Sequence, residues 1–542
     1  MIILAGMVAL TLAMAAYAAT SEPAGDATVT AYVSQLAQKL GLTPEQQAKI
    51  QKILEDGKAA IAADPSNQNV LVQGMWARIA EALTPAQQEK LRQMQPGAGG
   101  GEKPANPPTN APGDGTRTAT SASAPAGPSY LGVPTASKMT PIKVFNDANE
   151  PSWFAYVRRP DAAFKYDVQS AAVEGGTHFR VEMTSQVWQG LKWTSPMSGF
   201  IPTKSIAPDT ALLFIGAMMQ DQTMREDANA LGLAFASVGG YPNPGFGLQP
   251  DQAMLYGVQQ CLQTGDPNWS PLASFVKAAV RAMDVIEAVS AKQGTPIKKF
   301  ILAGHSKCGY TSWWTAIFDP RVIGIAPIGA HVLNFAQQIE VGASYTRALL
   351  QPGQDATEIG KQFLTMTDPY VLRAKLTMPK LNICGTNDEI FPPKTLGCFW
   401  EGLPGPKYLL NVDNAMHGTT PHGEMNDPKA AATLYAFARA VATGKALPTI
   451  EAKFSEVDGA IRLVLTTSVA AKAAKLWTTS SSNEINYAKW ASQPMEAQEG
   501  GKSFAASAPK VTVPVQAVYG EVEFEQDGRT CWLTTEYKIV KR

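Results

Sequence analysis

One serine in the chain has the surroundings of a catalytic nucleophile. Ser306 lies in a Gly-x-Ser-x-x-Gly turn between the apolar run 300–303 and a helical stretch that begins near Tyr310. A strand, a tight turn and a helix in this order are typical of a nucleophile elbow, which presents the serine hydroxyl above the carboxyl edge of a parallel sheet. Gly304 provides the small residue that the turn needs before the serine, whereas Cys308 stands where a second glycine is usual. The alternative is a serine that only caps the helix.

A nucleophilic serine needs a base, and the chain contains 5 histidines. His417 follows the apolar run 408–412 in a loop before a helical stretch, which is where a serine hydrolase of this kind carries its base. His422 lies in the same region and is the rival candidate. His305 adjoins the nucleophile, and neighbouring side chains of an elbow point apart. We therefore expect His305 to pack or to hydrogen-bond beneath the turn.

The third member of such a triad is a carboxylate that orients the histidine. Asp388 lies in a Gly-x-x-Asp loop directly after the apolar run 381–384, where it is able to accept the Nδ1–H of an imidazole. Glu389 is the alternative acid. The chain order Ser306, Asp388, His417 is that of α/β-hydrolases, and three separate placements agree on it. The sequence therefore predicts acyl transfer to water by a Ser-His-Asp triad.

The negatively charged oxygen that forms during acyl transfer needs backbone N–H donors. The N–H of Lys307 would lie at the N-terminus of the helix after the nucleophile, where the helix dipole favours an anion. The second donor is expected in the loop after the apolar run 211–215, at Ala217 or Met218.

The elements around these residues predict an α/β layer fold with a mainly parallel sheet, because apolar runs alternate with amphipathic helices. The predicted strands are 211–215, 233–238, 300–303, 323–328, 381–384 and 408–412, and the clearest helices are 274–291 and 428–443. After Pro448 the pattern changes to short strands and turns, with strands predicted at 461–466, 473–479, 510–514, 519–524 and 531–540. This change predicts a small β-sandwich.

Composition divides the chain into successive parts. Residues 1–19 contain an apolar run that ends in Ala-Tyr-Ala, a pattern that a signal peptidase accepts, although no Lys or Arg precedes the run. Residues 20–95 are predicted to be helical, and residues 96–137, rich in Pro, Gly and Ala, to form a flexible linker. The predicted α/β-hydrolase domain covers 138–447 and the predicted β-sandwich covers 448–542. We expect a secreted or periplasmic protein.

The helical segment contains two copies of one helix start. Residues 42–47, Leu-Thr-Pro-Glu-Gln-Gln, recur at 83–88 as Leu-Thr-Pro-Ala-Gln-Gln, and each copy places Thr as the N-cap and Pro at the first helical position. The pattern resembles the Leu-Thr-x-x-Gln signature of small periplasmic helical stress proteins. We favour a helical hairpin that docks or tethers the protein, and hence expect an association with the cell envelope.

Composition also excludes other classes of function. Lys plus Arg and Asp plus Glu both total 46, so the chain has no overall charge that attracts nucleic acid. Its sequence contains no Gly-rich phosphate loop, nucleotide fingerprint or metal-ligand spacing, so we expect no cofactor and no metal. None of the 5 cysteines forms a C-x-x-C pair, and Cys384 and Cys398 either pair with each other or remain buried thiols.

From about residue 140 to residue 542 the sequence resembles the PhoPQ-activated pathogenicity-related protein family. The matching stretches are 263–269, 276–284, 306–311, 319–322, 385–388 and 414–417. The resemblance implies an α/β-hydrolase domain followed by a small β-sandwich. It also implies a Gly-x-Ser-Lys-x-Gly elbow, in which Cys308 replaces a more usual Arg. The helical segment and the linker lie outside the resemblance.

These observations favour an exported serine hydrolase that acts on a small-molecule, peptide or carbohydrate ester. Lys307 beside the nucleophile favours an acidic substrate, as in the glucuronoyl esterases, which are similar at the elbow. A peptidase with the same triad is one alternative. A non-catalytic envelope-stress binding protein on a hydrolase scaffold is the other, because a fold does not fix a function.

Overall fold

The structure is a computed structural model with two compact units, Met1–Thr120 and Ser121–Arg542. In the second unit it describes residues 139–541, except for 217–218, 220, 240–249, 344, 346–348, 351–352, 420–426, 458, 483–484 and 486–487. In the first unit it describes residues 40–63 and 82–84 and the single positions 33, 37, 79 and 87. The predicted signal peptide, the predicted linker and most of the predicted helical segment therefore lie outside the described residues.

In the first unit the two Leu-Thr-Pro copies form the same capping arrangement. Helix α1 (Pro44–Ala63) begins after Thr43, whose hydroxyl accepts the N–H of Gln46 at 3.2 Å while its own N–H donates to the Gln46 side chain at 3.0 Å. Thr84 and Gln87 repeat this exchange at 3.4 and 2.9 Å. The two glutamine side chains also bind each other, at 2.8 Å from Gln46 Nε2 to Gln87 Oε1. The repeat is thus a pair of capping boxes that contact each other.

Nine strands form the central sheet of the second unit. They are β1 (Lys165–Val173), β2 (Gly176–Trp188), β3 (Leu191–Pro202), β4 (Thr210–Ile215), β5 (Ala234–Val238), β6 (Lys299–His305), β7 (Val322–Ile328), β8 (Lys380–Gly385) and β9 (Lys407–Val412). Their order across the sheet is β1-β2-β3-β5-β4-β6-β7-β8-β9. The six strands β4 to β9 run parallel, whereas β1, β2 and β3 are joined to them through antiparallel pairs. This confirms the predicted α/β-hydrolase fold.

Helices cover both faces of the sheet, as the nearly continuous burial of its parallel strands requires. They are α2 (Phe154–Arg158), α3 (Asp221–Leu231), α4 (Pro250–Thr264), α5 (Pro271–Ala291), α6 (Lys307–Phe318), α7 (Phe335–Glu340), α8 (Glu358–Thr367) and α9 (Pro428–Ala442). Short 3-10 helices occur at Pro267–Trp269, Pro369–Lys375, Pro393–Cys398 and Glu499–Gly501. Helices α5 and α6 contribute to one hydrophobic core, and α3 and α9 contribute to the core on the opposite face.

Two antiparallel sheets follow the hydrolase domain and pack face to face as a β-sandwich. Their strands are β10 (Ile450–Val457), β11 (Ala460–Thr467), β12 (Ala473–Ser481), β13 (Ala491–Pro494), β14 (Glu496–Ala497), β15 (Ser503–Ser507), β16 (Val515–Gln526), β17 (Arg529–Thr534) and β18 (Lys538–Lys541). One sheet has the order β10-β11-β15-β14, and the other has the order β13-β12-β16-β17, with β18 also paired to β16. Gly520 lets the sheets approach, since a Cβ there would lie 2.8 Å from the Leu465 side chain.

Two predicted strands of this domain are corrected by the structure. Residues 510–514 form no strand. Pro509 precedes this segment and Pro514 ends it, and neither supplies an N–H to a ladder; the chain crosses here from one sheet to the other. The predicted strand 531–540 is interrupted at 535–537, where the Thr535 hydroxyl accepts the N–H of Gly520 in place of a backbone carbonyl.

The described residues also settle two smaller questions. All of the cysteines, including Cys384 and Cys398, are buried free thiols, so these two do not form a disulfide. In the part of the chain that the structure describes, no helix is both long enough and apolar enough to cross a membrane.

Candidate active site

The turn that carries Ser306 is a strained and crowded strand-to-helix connection. Strand β6 ends at His305, α6 begins at Lys307, and Ser306 between them has φ 57° and ψ −123°. Such a conformation is costly for a residue with a side chain, and it persists only where the surroundings enforce it. A Cβ at Gly304 would lie 2.7 Å from the Cys308 backbone. The strand, the turn and the small residue before the serine are thus placed as in a nucleophile elbow.

Cys308, the departure from the usual elbow, is accommodated by a glycine on the neighbouring strand. Gly216 follows β4 with φ 115°, and a Cβ at this position would lie 2.5 Å from the Cys308 Sγ. The second small residue of the turn is Gly309, where a Cβ would lie 2.6 Å from the Cβ of Ala330. Gly216 is visible in the sequence as the glycine that ends an apolar run just before the predicted oxyanion loop.

The structure brings Ser306, His417 and Asp388 together in one chain of hydrogen bonds. His417 Nε2 lies 2.8 Å from Ser306 Oγ, and His417 Nδ1 lies 2.9 Å from Asp388 Oδ2. An ionised carboxylate only accepts, so Nδ1 carries the proton and Nε2 is left to accept the serine hydroxyl. The other Asp388 oxygen accepts the N–H groups of Ile390 and Phe391 at 2.9 and 2.8 Å. The acid therefore orients the base, and the loop backbone orients the acid.

Charge and burial act in opposite directions at these groups. Burial raises the pKa of Asp388, but the hydrogen bond and charge of His417, together with the two N–H groups, outweigh burial and hold that pKa below its usual range. Burial lowers the pKa of His417, but the hydrogen bond and charge of Asp388 and the charge of Glu389 outweigh it and raise that pKa. The pair is therefore arranged to stabilise an imidazolium after proton transfer from serine.

Two neighbours form hydrogen bonds to the backbone of His417. Glu389 Oε2 accepts the His417 N–H at 3.2 Å, and therefore does not take the place of Asp388 at Nδ1. His305 Nε2 donates to the His417 carbonyl at 2.5 Å from beneath the turn. Burial lowers the pKa of His305 to about 4, with the nearby His417 acting in the same direction, so His305 is neutral near pH 7.

One residue of the site was missed by sequence reasoning. Gly329 follows strand β7 with φ 53°, and a Cβ there would lie 3.3 Å from Asp388 Oδ2 and from His305 Nε2 and 3.2 Å from the His417 carbonyl. A glycine is needed because three polar groups of the site converge on this point. The only sequence signal is a glycine at the end of an apolar run, which is common in parallel sheets.

The predicted oxyanion donors are only partly within the described residues. Lys307 is the first residue of α6, so its backbone N–H lies in the first turn, at the positive end of the helix dipole. Ala217 and Met218, and the rival base His422, lie outside the described residues. Among the residues that the structure describes, no group of three His, Cys, Asp or Glu side chains is placed to hold a metal ion.

The strand order and the elbow define a protein of the α/β-hydrolase class. A family model described as PhoPQ-activated pathogenicity-related protein matches residues 154–487. The chain belongs to this family, which confirms the resemblance drawn from its sequence, and the helical segment lies outside the matched residues.

Comparison with individual proteins adds one relative and several structures. The chain is 28% identical over 304 residues to autocrine proliferation repressor protein A of Dictyostelium discoideum. The aligned region covers 49% of this chain and 61% of the Dictyostelium protein, so the chain spans less than two thirds of that protein's length. An acetyl xylan esterase from Paenibacillus sp. R4 is 17% identical, with coverage of 53% of this chain and 93% of that chain and a TM-score of 0.39. Acetyl xylan esterase 1 from Thermoanaerobacterium is 13% identical, with coverage of 56% and 96% and a TM-score of 0.42. These similarities are too low to transfer a substrate.

Proposed function

We propose that this chain is an exported serine hydrolase that cleaves carboxylic esters through an acyl-enzyme formed on Ser306. The observation that carries the proposal is the continuous contact from Ser306 Oγ through His417 to Asp388, at 2.8 and 2.9 Å. A serine that only capped α6 would not need this contact, and the Ser306 side chain makes no capping hydrogen bond to that helix.

The geometry supports the following reaction. Ser306 Oγ attacks the ester carbonyl carbon as its proton passes to His417 Nε2, and the carbonyl π electrons move onto the oxygen. The N–H of Lys307 and an N–H of Ala217 or Met218 hold this oxyanion. When the intermediate collapses, the bond to the alcohol breaks and the alcohol takes the proton from His417. Water then attacks the acyl-enzyme with the same base, releasing the carboxylic acid and restoring Ser306.

The surroundings of the triad also support the expected preference for an acidic substrate. Burial is the main cause of the lowered pKa of His305, and Asp388 and Glu389 raise the pKa of His417 overall. The positive charge of Lys307 is a smaller lowering influence on both pKa values, which places this charge near the two rings. We therefore include esters with a neighbouring free carboxylate in the proposed substrate class.

Ester hydrolysis by the purified full chain tests the proposal. Wild type should hydrolyse p-nitrophenyl acetate and butyrate faster than the matching p-nitroanilides, and Ser306→Ala and His417→Ala should each lower kcat by roughly 10³-fold or more. Ser312→Ala is the matched control, because it removes from the same helix a buried hydroxyl whose hydrogen bond goes to the Cys308 carbonyl and not to the triad. Equal turnover by wild type and Ser306→Ala, or no turnover by folded wild type, would contradict the proposal. Faster cleavage of the anilides would favour the peptidase alternative.

Export is tested separately by the mass of the mature chain. Cleavage after residue 18 or 19 is expected from the Ala-Tyr-Ala pattern. Expression of residues 1–542 in a bacterial host, fractionation of the periplasm and an intact-mass measurement should find the shortened chain there. An uncleaved chain in the cytoplasm would refute export.

A further inference from the structure

The loops that carry the acid and the base are joined to each other by their backbones. Asn387 N–H donates to the Ala415 carbonyl at 2.9 Å, and Asn414 N–H donates to the Thr386 hydroxyl at 2.8 Å. A Cβ at Gly385 would lie 2.2 Å from the Ala415 oxygen, so the loops could not approach so closely with a larger residue there. A displacement of one loop therefore moves the other.

The same two loops are tied to the C-terminal sandwich by side-chain amides. Asn414 Oδ1 accepts the N–H of Trp490 at 2.8 Å, and Asn414 Nδ2 donates to the Trp490 carbonyl at 3.1 Å. Asn387 Nδ2 donates to the Ala488 carbonyl at 3.0 Å. Residues 488–490 thus contact the residue just before Asp388 and a residue three positions before His417, although they belong to the sandwich and not to the central sheet.

Residues 488–490 are themselves firmly placed. Trp490 is 1% exposed, and its ring lies 5.1 Å from that of Tyr519 and 5.8 Å from that of Tyr537, centre to centre. The Lys489 carbonyl accepts the Thr479 hydroxyl of β12 at 2.9 Å. Directly after Trp490 the chain enters β13, which pairs with β12. The segment is therefore an anchor in the sandwich and not a loose loop that follows the hydrolase domain.

Asn414 also fits its position through its backbone. Its φ is 55°, in the left-handed region that asparagine and glycine tolerate better than other residues. Glycine at this position would keep the turn but remove both hydrogen bonds to Trp490. The contribution of the carboxamide is therefore separable from the conformation of the turn.

We propose that Asn414 is a positioning residue, through which residues 488–490 of the sandwich hold the His417 ring at the Ser306 hydroxyl. This inference rests on the proposed function, because it assigns the sandwich a part in the same reaction. An error of about 1 Å in the placement of a reacting group costs up to about 100-fold in rate, so the two hydrogen bonds of Asn414 are sufficient to matter.

The test compares two sets of hydrogen bonds between the sandwich and the hydrolase region. Asn414→Gly removes the set near the triad, from Asn414 to Trp490. Thr433→Val removes a tie of the same kind elsewhere, since the buried Thr433 hydroxyl exchanges hydrogen bonds with the N–H and carbonyl of Trp532 at 3.1 and 3.3 Å. Asn387→Ala is a second variant at the triad. For each full-length variant we would measure Tm, kcat and KM on p-nitrophenyl butyrate, the rate of fluorophosphonate labelling and the pH profile of kcat/KM.

We expect Asn414→Gly to lower kcat and the labelling rate by about 10- to 100-fold with KM unchanged. The acid limb of its kcat/KM profile should shift to lower pH. A displaced His417 loses part of its hydrogen bond to Asp388, and this hydrogen bond raises the pKa of His417. Asn387→Ala should act in the same direction, and Thr433→Val should lower Tm while leaving kcat unchanged. If Asn414→Gly and Asn387→Ala kept the wild-type kcat, or if Thr433→Val lost as much kcat as Asn414→Gly, the positioning role would be wrong while the proposed function would stand. Absence of labelling in wild type would overturn the proposed function and the inference with it.

Discussion

The nucleophile and the base of the proposed triad are held in place by different parts of the molecule. Ser306 depends mainly on residues next to it in the sequence, with a positive φ, Gly304 before it and α6 after it, while Gly216 after β4 makes room for Cys308. His417 depends on distant residues. Asp388 is 29 positions away, His305 is 112 positions away, and Asn414 links the base loop to Trp490 across 76 positions.

This difference has consequences for mutation. Changes beside the nucleophile create steric clashes in a packed turn, so we expect them to lower the free energy of unfolding along with activity. Changes around the base alter the orientation and the charge of one ring, so we expect them to lower the rate while the fold persists. Each of the following predictions tests one side of this comparison.

The largest effect is expected at the acid. Asp388→Asn replaces an acceptor at Nδ1 by a group whose amide is able to donate, which favours the wrong tautomer of His417. We expect kcat to fall about 10⁴-fold with little change in KM, measured on aryl esters. The fold should remain intact by circular dichroism. If kcat fell less than about tenfold, Asp388 would not be the residue that orients the base.

The nucleophile side is tested by Gly304→Ala. The new Cβ would lie 2.7 Å from the Cys308 backbone, which cannot shift without moving the turn. We expect a loss of about 2–3 kcal/mol in the free energy of unfolding, measured with urea. Gly397→Ala is the control, because a Cβ at Gly397 would meet nothing within 4 Å. Equal stability of the two variants would show that the turn is not crowded.

The pH dependence of kcat/KM reports the charges that face the base. Among the described residues these are Asp388, Glu389 and Lys307, with His305 neutral near pH 7. Protonated His417 cannot accept the serine proton, and its pKa is raised above the ordinary value. Activity should therefore rise with pH, with its acid limb above about 6.5 and a tenfold loss for each unit below that limb. An acid limb near pH 5 would contradict this assignment of charges.

The smallest effect is expected at Glu389. Its side chain accepts the His417 N–H, and glutamine retains an acceptor oxygen there, so Glu389→Gln mainly removes a negative charge. We expect kcat to stay within about threefold of wild type and the acid limb to move slightly lower. A loss as large as that of Asp388→Asn would identify Glu389 as the orienting acid instead.

The sequence predicted much of the fold and the residue types of the site. The parallel strands β4 to β9 were each expected, because strands buried on both faces appear as continuous apolar runs. The hairpins of β1, β2 and β3 were not predicted, although Gln189 and Gly190, with φ 51° and 81°, form a two-residue turn of the kind that joins such strands. The alternation of apolar and polar residues that is typical of hairpin strands is weak in β2, because part of this strand is buried on both faces.

The positioning contacts could not be predicted. Asn414, Trp490 and Gly329 acquire their places at the site only when distant segments pack together. Their residue types carry no local pattern, since asparagine in a turn and glycine after a strand occur throughout proteins. Local chemistry was therefore readable from the sequence, whereas the supports of the base were visible only in the structure.

Covalent labelling shows whether Ser306 is the nucleophile. The purified full chain and Ser306→Ala would be treated with a fluorophosphonate and analysed by intact mass and by peptide mapping. We expect one adduct per wild-type chain, located on Ser306, and none on the variant. A folded wild type without an adduct, or an adduct on the Ser306→Ala chain, would contradict the claim that Ser306 is the nucleophile of a serine hydrolase.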